Sequence, residues 1–179
     1  LEWSGRPLGV KSRDCNVFVD NNGKAYFVST TTENTNIGIF QLSDDYTKVV
    51  SHKCVMKDLR REAPVIVNKD GLYYMLSSAC TGWAPNQCKL STSKKLGKGW
   101  SQLENIGDDK AFRTQAAAVL EIKGTKQTTY LYVGDRWLER ELPASRIIIF
   151  PISFKDGKCE FEYCDKFDIN FTTGEVRKY

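Results

Sequence analysis

Asp14, Glu62 and Gln115 are polar residues at equivalent places in this chain, and each is followed nine residues later by a glycine: Gly23, Gly71 and Gly124. DCNVFVDNNGKAYFVST (14–30) lies over EAPVIVNKDGLYYMLSS (62–78) without a gap, at an offset of 48 residues. In both copies an apolar run begins three residues after the acid, and an aromatic-rich run follows the glycine. QAAAVLEIKGTKQTTYLYV (115–133) is a weaker third copy, lengthened by a short insertion before Tyr130. If a fold gathers these positions, two carboxylates share a pocket with an amide. Repulsion between the carboxylates raises one pKa, and that group can then act as a general acid near neutrality. Cleavage of a glycosidic bond needs such a group, because the departing oxygen must be protonated. Glu62 reaches one bond further than Asp14. Arg60 or Arg61, if turned inward, would lower the Glu62 pKa and weaken that role; strand alternation leaves both directions open. Hairpin capping is the plainer use of such residues. Three polar residues at one repeat position, two of them acids, exceed what turns require.

The elements that must position these groups are strands. Helical periodicity is nearly absent. Short runs rich in Val, Ile, Tyr and Phe (17–19, 25–29, 37–42, 65–67, 72–77, 116–122, 130–133 and 147–152) are separated by turn signals such as Asn22-Gly23, Asp70-Gly71 and Asp156-Gly157. The class is all-β. A period near 50 residues with about four strands per unit predicts β-propeller blades, at about 14–57, 62–108 and 113–170 of a single domain spanning 1–179. Innermost strands of a propeller run along its axis, so Asp14, Glu62 and Gln115 are expected to face one central mouth. TGWAPN (81–86) and GDRW (134–137) follow hairpins of the second and third units. Indole rings stack on sugar faces, and Asn, Arg and Asp bond hydroxyls. Packing between blades is the other use for each tryptophan; Gly82 and Pro85 mark Trp83 as a loop residue, whereas Trp3 and Trp100 read as structural.

Hydrophobic residues make up 41% of the 179, enough for a core, and the formal charge of +4 is spread in short pairs such as Lys94-Lys95. This describes a solvated surface rather than a nucleic-acid interface. No apolar stretch approaches the ~20 residues of a membrane span. Six cysteines without a CxxC pair and a single histidine, His52, argue against zinc and against a Cys–His catalytic pair. The spacings of Cys80/Cys88 and Cys159/Cys164 permit local disulfides, and buried free thiols are the alternative. Export would favour the bridges, and a Cys80–Cys88 bond stiffening the TGWAPN loop is the expectation. The chain opens in mid-pattern without Met, as a trimmed or processed product would.

SRDCNVFVDNNGKAYF, REAPVIVNKDGLYYMLSSACTGWAPN, YVGDRW and SRIIIFPISF together resemble glycoside hydrolase family 43, in particular its galactan-acting branch of exo-β-1,3-galactanases. The resemblance implies a five-bladed propeller, of which this chain carries about three blades, and an inverting glycosidase that removes terminal galactose from β-1,3-galactan. It implies Glu62 as general acid, Asp14 as the group that orients it and tunes its pKa, and Gln115, in TQAA, as the residue that positions the attacking water. Ala116 and Ala117 replace hydroxyl residues of the family pattern, and Ala79 stands where a glycine is usual. Asn34 matches a sugar-binding asparagine, and Thr81, Gly82 and Trp83 match the loop that holds the terminal sugar. Asp135 and Trp137 of GDRW and Arg146 of SRIIIFPISF complete the candidate sugar contacts. Inversion calls for about 6.5–9.5 Å between the acid and the water-activating group, so the Gln115 amide is expected at that range from Glu62. Some family members carry a structural calcium, but no carboxylate cluster in this sequence points to it, and no other cofactor is implied. The implied partner is an oligo- or polysaccharide, met in a secreted or periplasmic setting, with N-terminal blades as a further partner of this chain. Two other functions fit the same motifs: an arabinofuranosidase or galactofuranosidase, and a glycan-binding propeller without turnover.

Overall fold

The computed structural model describes residues 10–179; Trp3 lies outside them. Three four-stranded antiparallel sheets follow one another in strictly sequential order. The first blade is β1 (Ser12–Val19), β2 (Ala25–Thr31), β3 (Asn36–Leu42) and β4 (Val49–Met56). The second is β5 (Arg61–Lys69), β6 (Leu72–Ala79), β7 (Cys88–Ser93) and β8 (Glu104–Ile106). The third is β9 (Gln115–Lys123), β10 (Thr128–Arg136), β11 (Arg146–Lys155) and β12 (Lys158–Phe161). β1 packs on β5 and β5 on β9, so the first strand of every sheet lies innermost. The blades of a β-propeller are arranged in this way. The third blade ends at Phe161 rather than near residue 170, because β13 (Phe167–Ile169) and β14 (Val176–Lys178) pair only with each other. This hairpin clasps the β9–β10 turn: Thr125 N–H donates to Thr172 O, and Gln127 N–H to Thr173 O.

Strand alternation divides the apolar side chains between two inter-blade cores. Ile66 and Met75 of the second blade turn toward the first, where they meet Phe18, Val28, Ile39 and Met56. Val65, Val67, Tyr74 and Leu76 turn the other way, against Tyr130, Tyr132, Phe150 and Phe154 of the third. Fully burying a side chain of this kind contributes on the order of 1.5–3 kcal/mol. Trp100 packs against the first of these cores and donates its indole N–H to Leu96 O, a structural role as expected.

All six cysteines are free, contrary to the expected Cys80–Cys88 bridge and to the local pairing of Cys159 with Cys164. Cys88 is buried on β7 in the core between the second and third blades, whereas Cys80 lies exposed beyond the end of β6, so their thiols serve different environments. Cys159 is likewise buried, while Cys164 is only partly so.

Candidate active site

Each inner strand carries a bulge close to its candidate residue. Arg13 and Asp14 oppose a single residue of β2, and Ala63 and Pro64 oppose a single residue of β6. Ala117 is the extra residue in β9. A bulge bends the strand and re-aims its side chains. Pro64 suits its place, because a bulged residue needs no ladder N–H. Ala63 adopts φ 50°, a left-handed conformation unfavourable for alanine. Its N–H donates to Asp14 Oδ2 at 3.2 Å. The first blade thus fixes the bend that aims Glu62.

Glu62 is 9% exposed, and both its carboxylate oxygens are held. Asn34 Nδ2 donates to Oε2 at 3.0 Å, and Gln115 Nε2 donates to Oε1 at 3.1 Å. Asn34 is steered by Thr30, whose hydroxyl donates to Asn34 Oδ1 at 2.8 Å. Burial, and then the nearby Asp14 charge, push the Glu62 carboxyl above its ordinary value; the Cys80 thiol, hydrogen bonding from Gln115 and the charge of Arg13 pull it back only partly. Arg61 does not oppose this. It turns to the other side of β5, where it is buried and donates to the Ser77 hydroxyl and carbonyl.

The expected spacing between Gln115 and Glu62 is corrected: the two are in direct contact at 3.1 Å, not 6.5–9.5 Å apart. Both side chains descend from neighbouring inner strands onto the same spot, which leaves no gap between them. Gln115 does face the site. Its Nε2 also donates to Ser78 Oγ at 2.9 Å, and its Oε1 accepts from Trp137 Nε1 at 2.9 Å. The neighbours at 114–117 are held by hydrogen bonds despite the missing hydroxyls. Thr114 Oγ1 bonds Ala111 O and the Tyr132 hydroxyl, and Ala117 O accepts from Asn16 Nδ2 at 2.7 Å.

Two left-handed turns set the entry to these positions. Thr32, Glu33 and Asn34 all have positive φ, as do Ala111, Phe112 and Arg113. Such backbone costs roughly 1–3 kcal/mol per residue and persists only where the surroundings hold it. The first turn is held by an Arg13–Glu33 ion pair at 2.8 Å. The second is held by Asp108 Oδ1, which accepts from the Lys110 and Phe112 N–H groups, and by Arg136 Nη2 on Phe112 O. One turn delivers Asn34 and the other leads into Gln115.

The 81–86 loop and the end of β10 meet beside Gln115 in a pocket that includes Gly82, Trp83, Asp135 and Trp137. Trp83 and Trp137 pack edge to face, with ring centroids 5.5 Å apart. They are 44% and 37% exposed, so they form a wall of the pocket rather than core. Gly82 has φ +63°, which explains a glycine in that turn. Burial raises the Asp135 carboxyl above its ordinary value. Thr81 and Asn86 serve the loop itself: Thr81 Oγ1 donates to Ala84 O, and Asn86 bonds both the N–H and the C=O of Ala79. Arg146 is exposed at the start of β11 across from Arg136 and is outside this pocket. Ser78, which sequence reasoning passed over, completes the frame around Gln115; no spacing rule marked it. Cys80 was read as a bridge residue, yet its thiol donates to Asn34 O at 3.8 Å and lies near Glu62, whose charge helps raise its pKa after burial. Among the described residues no group of three or more His, Cys, Asp or Glu is arranged to hold a metal.

The profile of the glycosyl hydrolases family 43 matches residues 3–138. The chain belongs to that family. It is 37% identical to an exo-β-1,3-galactanase from Clostridium thermocellum, with a TM-score of 0.93 over 97% of this chain and 41% of that one. An exo-β-1,3-galactanase from Phanerochaete chrysosporium, solved with β-1,3-galactotriose, is 30% identical, with a TM-score of 0.88 over 97% of this chain and 40% of that one. A family 43 β-1,3-galactosidase solved with galactodeoxynojirimycin is 34% identical, with a TM-score of 0.83 over 90% and 48% of the two chains. The chain therefore spans less than half the length of these relatives. No curated protein matches it.

Proposed function

We propose that this chain supplies the acid side of a glycosidase that removes terminal galactose from β-1,3-galactan with inversion. Glu62 is the general acid. The observation that carries this is its carboxyl, pushed upward by burial and by Asp14 while both oxygens are held in fixed directions by Asn34 and Gln115. A group that keeps its proton further toward neutrality, in a set orientation, is what a departing sugar oxygen requires. Asp14 acts twice, through its charge and through its hold on Ala63. Gln115 orients the acid while the two remain in contact; delivery of water by Gln115 requires its amide to leave Glu62. Trp83, Trp137 and Asp135 offer aromatic edges and an acceptor for a sugar ring. The galactan-acting names of the similar structures support galactose as the sugar.

Two exposed apolar faces fit the same function. Val17 and Val19 on the first blade and Leu120, Ile147 and Ile149 on the third point away from both cores. We read them as seats for further blades, which would close the propeller and complete the sugar site. A polymeric substrate is met outside the cell membrane, so the protein is read as secreted or periplasmic. No helix among the described residues is long and apolar enough to cross a membrane.

The test is Glu62→Gln in a protein that carries this chain within a complete propeller. Turnover of β-1,3-galactan should fall by roughly 10² or more, a general-acid contribution. Aryl galactosides with good leaving groups should suffer less, because they need less protonation. Equal losses on both substrates would remove Glu62 from this role. Release of sugar from aryl furanosides but not from galactan would replace the substrate.

A further inference from the structure

Trp137 walls the pocket, but its indole N–H is engaged by Gln115. The bond to Gln115 Oε1 is 2.9 Å long. An indole nitrogen can only donate, so its partner must be the amide oxygen. The opposite edge of the amide is therefore NH2, and both its hydrogens are used, on Glu62 Oε1 at 3.1 Å and on Ser78 Oγ at 2.9 Å. The other two partners fix the direction less firmly: the Ser78 hydroxyl is committed as a donor only by a 3.4 Å bond to the Glu62 backbone carbonyl, and Glu62 can donate once it is protonated.

We propose that Trp137 is a positioning residue that sets the direction of the Gln115 amide, so that Glu62 always meets a donor there. The catalytic consequence rests on Glu62 being the acid. Trp137 itself is well anchored. Its ring lies edge to face against Trp83 of the neighbouring blade, and the following backbone is tied by Leu138 N–H to Ser145 Oγ and by Glu141 N–H to Leu138 O. Without the indole N–H, the amide can turn over and present its oxygen. That orientation is compatible only with a protonated Glu62, because an ionised carboxylate is an acceptor on both oxygens. Trp137 thus biases the site toward the ionised acid and offsets part of the upward push from burial and Asp14. The other groups near the Glu62 carboxylate are Arg13 and Asp14 from β1, Asn34 from the β2–β3 turn and Cys80 just beyond β6, while the Ser78 hydroxyl at the end of β6 donates to the Glu62 backbone carbonyl.

The test reads Glu62 directly and needs no turnover. The Glu62 carboxyl is titrated by carbon NMR in the unmodified chain, in Trp137→Phe and in Trp83→Phe. Trp137→Phe keeps a ring against Trp83 but lacks the N–H; its Glu62 midpoint should move upward, while that of Trp83→Phe should stay. In a Gln115→Ala background, Trp137→Phe should cause no further movement. An unmoved midpoint, or an equal movement without Gln115, overturns the proposal. Should Trp137→Phe fail to fold, the unmodified chain decides. Its Trp137 indole N–H should exchange slowly and shift as Glu62 titrates, and Glu62→Gln should abolish that shift. Exchange at the rate of a free indole overturns the proposal. If the midpoint moves as expected but Glu62→Gln keeps full turnover, the positioning role stands and the acid role falls.

Discussion

Asp14 separates charge from geometry more cleanly than any other residue of the site. Asn at this position keeps an oxygen that can accept the Ala63 N–H, but the negative charge beside Glu62 is gone. Asp14→Asn should therefore lower the Glu62 pKa while leaving the bulge intact. In the complete enzyme the basic limb of the pH–rate profile, which follows loss of the acid's proton, should move to lower pH. The same change has a stability side. A carboxyl raised in the folded state binds its proton more tightly there, so its stabilising share is present at low pH and is lost as pH rises through the folded-state value. Asp14→Asn should reduce that loss. Thermal melts should show it gaining on the parent at pH 7 relative to acid conditions, and an unchanged pH profile with unchanged melts would separate Asp14 from Glu62. Asp14, Glu62 and Gln115 were legible in the sequence because they share a repeat position. Thr81 and Asn86 were misread in emphasis: their polar atoms looked free for sugar, but the loop's own carbonyls and amides compete for them locally. Ser78 and the contact between Gln115 and Glu62 were not legible, since both depend on how closely two inner strands converge.

The strands covered on both faces were easy to read, and the outer ones were hidden. β2, β6 and β10 announce themselves by dense apolar and aromatic runs, because both their faces are covered. β4, β8 and β12 are outer strands, short or half-exposed, and their composition is close to that of a loop. The left-handed turns at 32–34 and 111–113 were unreadable for another reason: Thr, Glu, Ala, Phe and Arg are poor residues for positive φ, so only tertiary bonds explain them. The β9 bulge lies opposite one glycine of β10. A Cβ at Gly134 would lie 2.6 Å from Tyr132 Cε1 and 2.8 Å from Thr114 Cβ. Gly134→Ala should cost about 1–3 kcal/mol through overpacking, or about 2–4 °C of melting temperature for each kcal/mol. It should also break the Thr114–Tyr132 hydrogen bond next to Gln115. Calorimetry combined with Tyr132 hydroxyl NMR would check both; a melt within 1–2 °C of the parent, by that same scale, would mean the bulge yields more easily than its contacts imply.

The arc as a whole holds two cores and leaves two apolar faces outward, and its sequential sheets make nearly every strand pairing local. Propeller architecture was legible from the 48-residue offset alone; the separate C-terminal hairpin was not, because its short strands carry no apolar run. Side-chain bonds between blades reach further, and one joins the first blade to the third. Asn16 in the first blade donates to Ala117 in the third, 101 residues later. At synthesis rates of about 5–20 residues per second, that partner is made roughly 5–20 s after Asn16 itself. During that interval the first blade can pair its own strands, but its innermost strand has no neighbour on the third-blade side. Stalled ribosome-bound chains of increasing length, probed by brief proteolysis, should show β1 remaining cleavable until β9 has emerged and becoming protected soon afterwards. Protection that arrives with the second blade would assign the closure to β5 alone. The order of manufacture thus determines when the acid is aimed: Glu62 is made early, but it gains its second holder only when Gln115 leaves the ribosome.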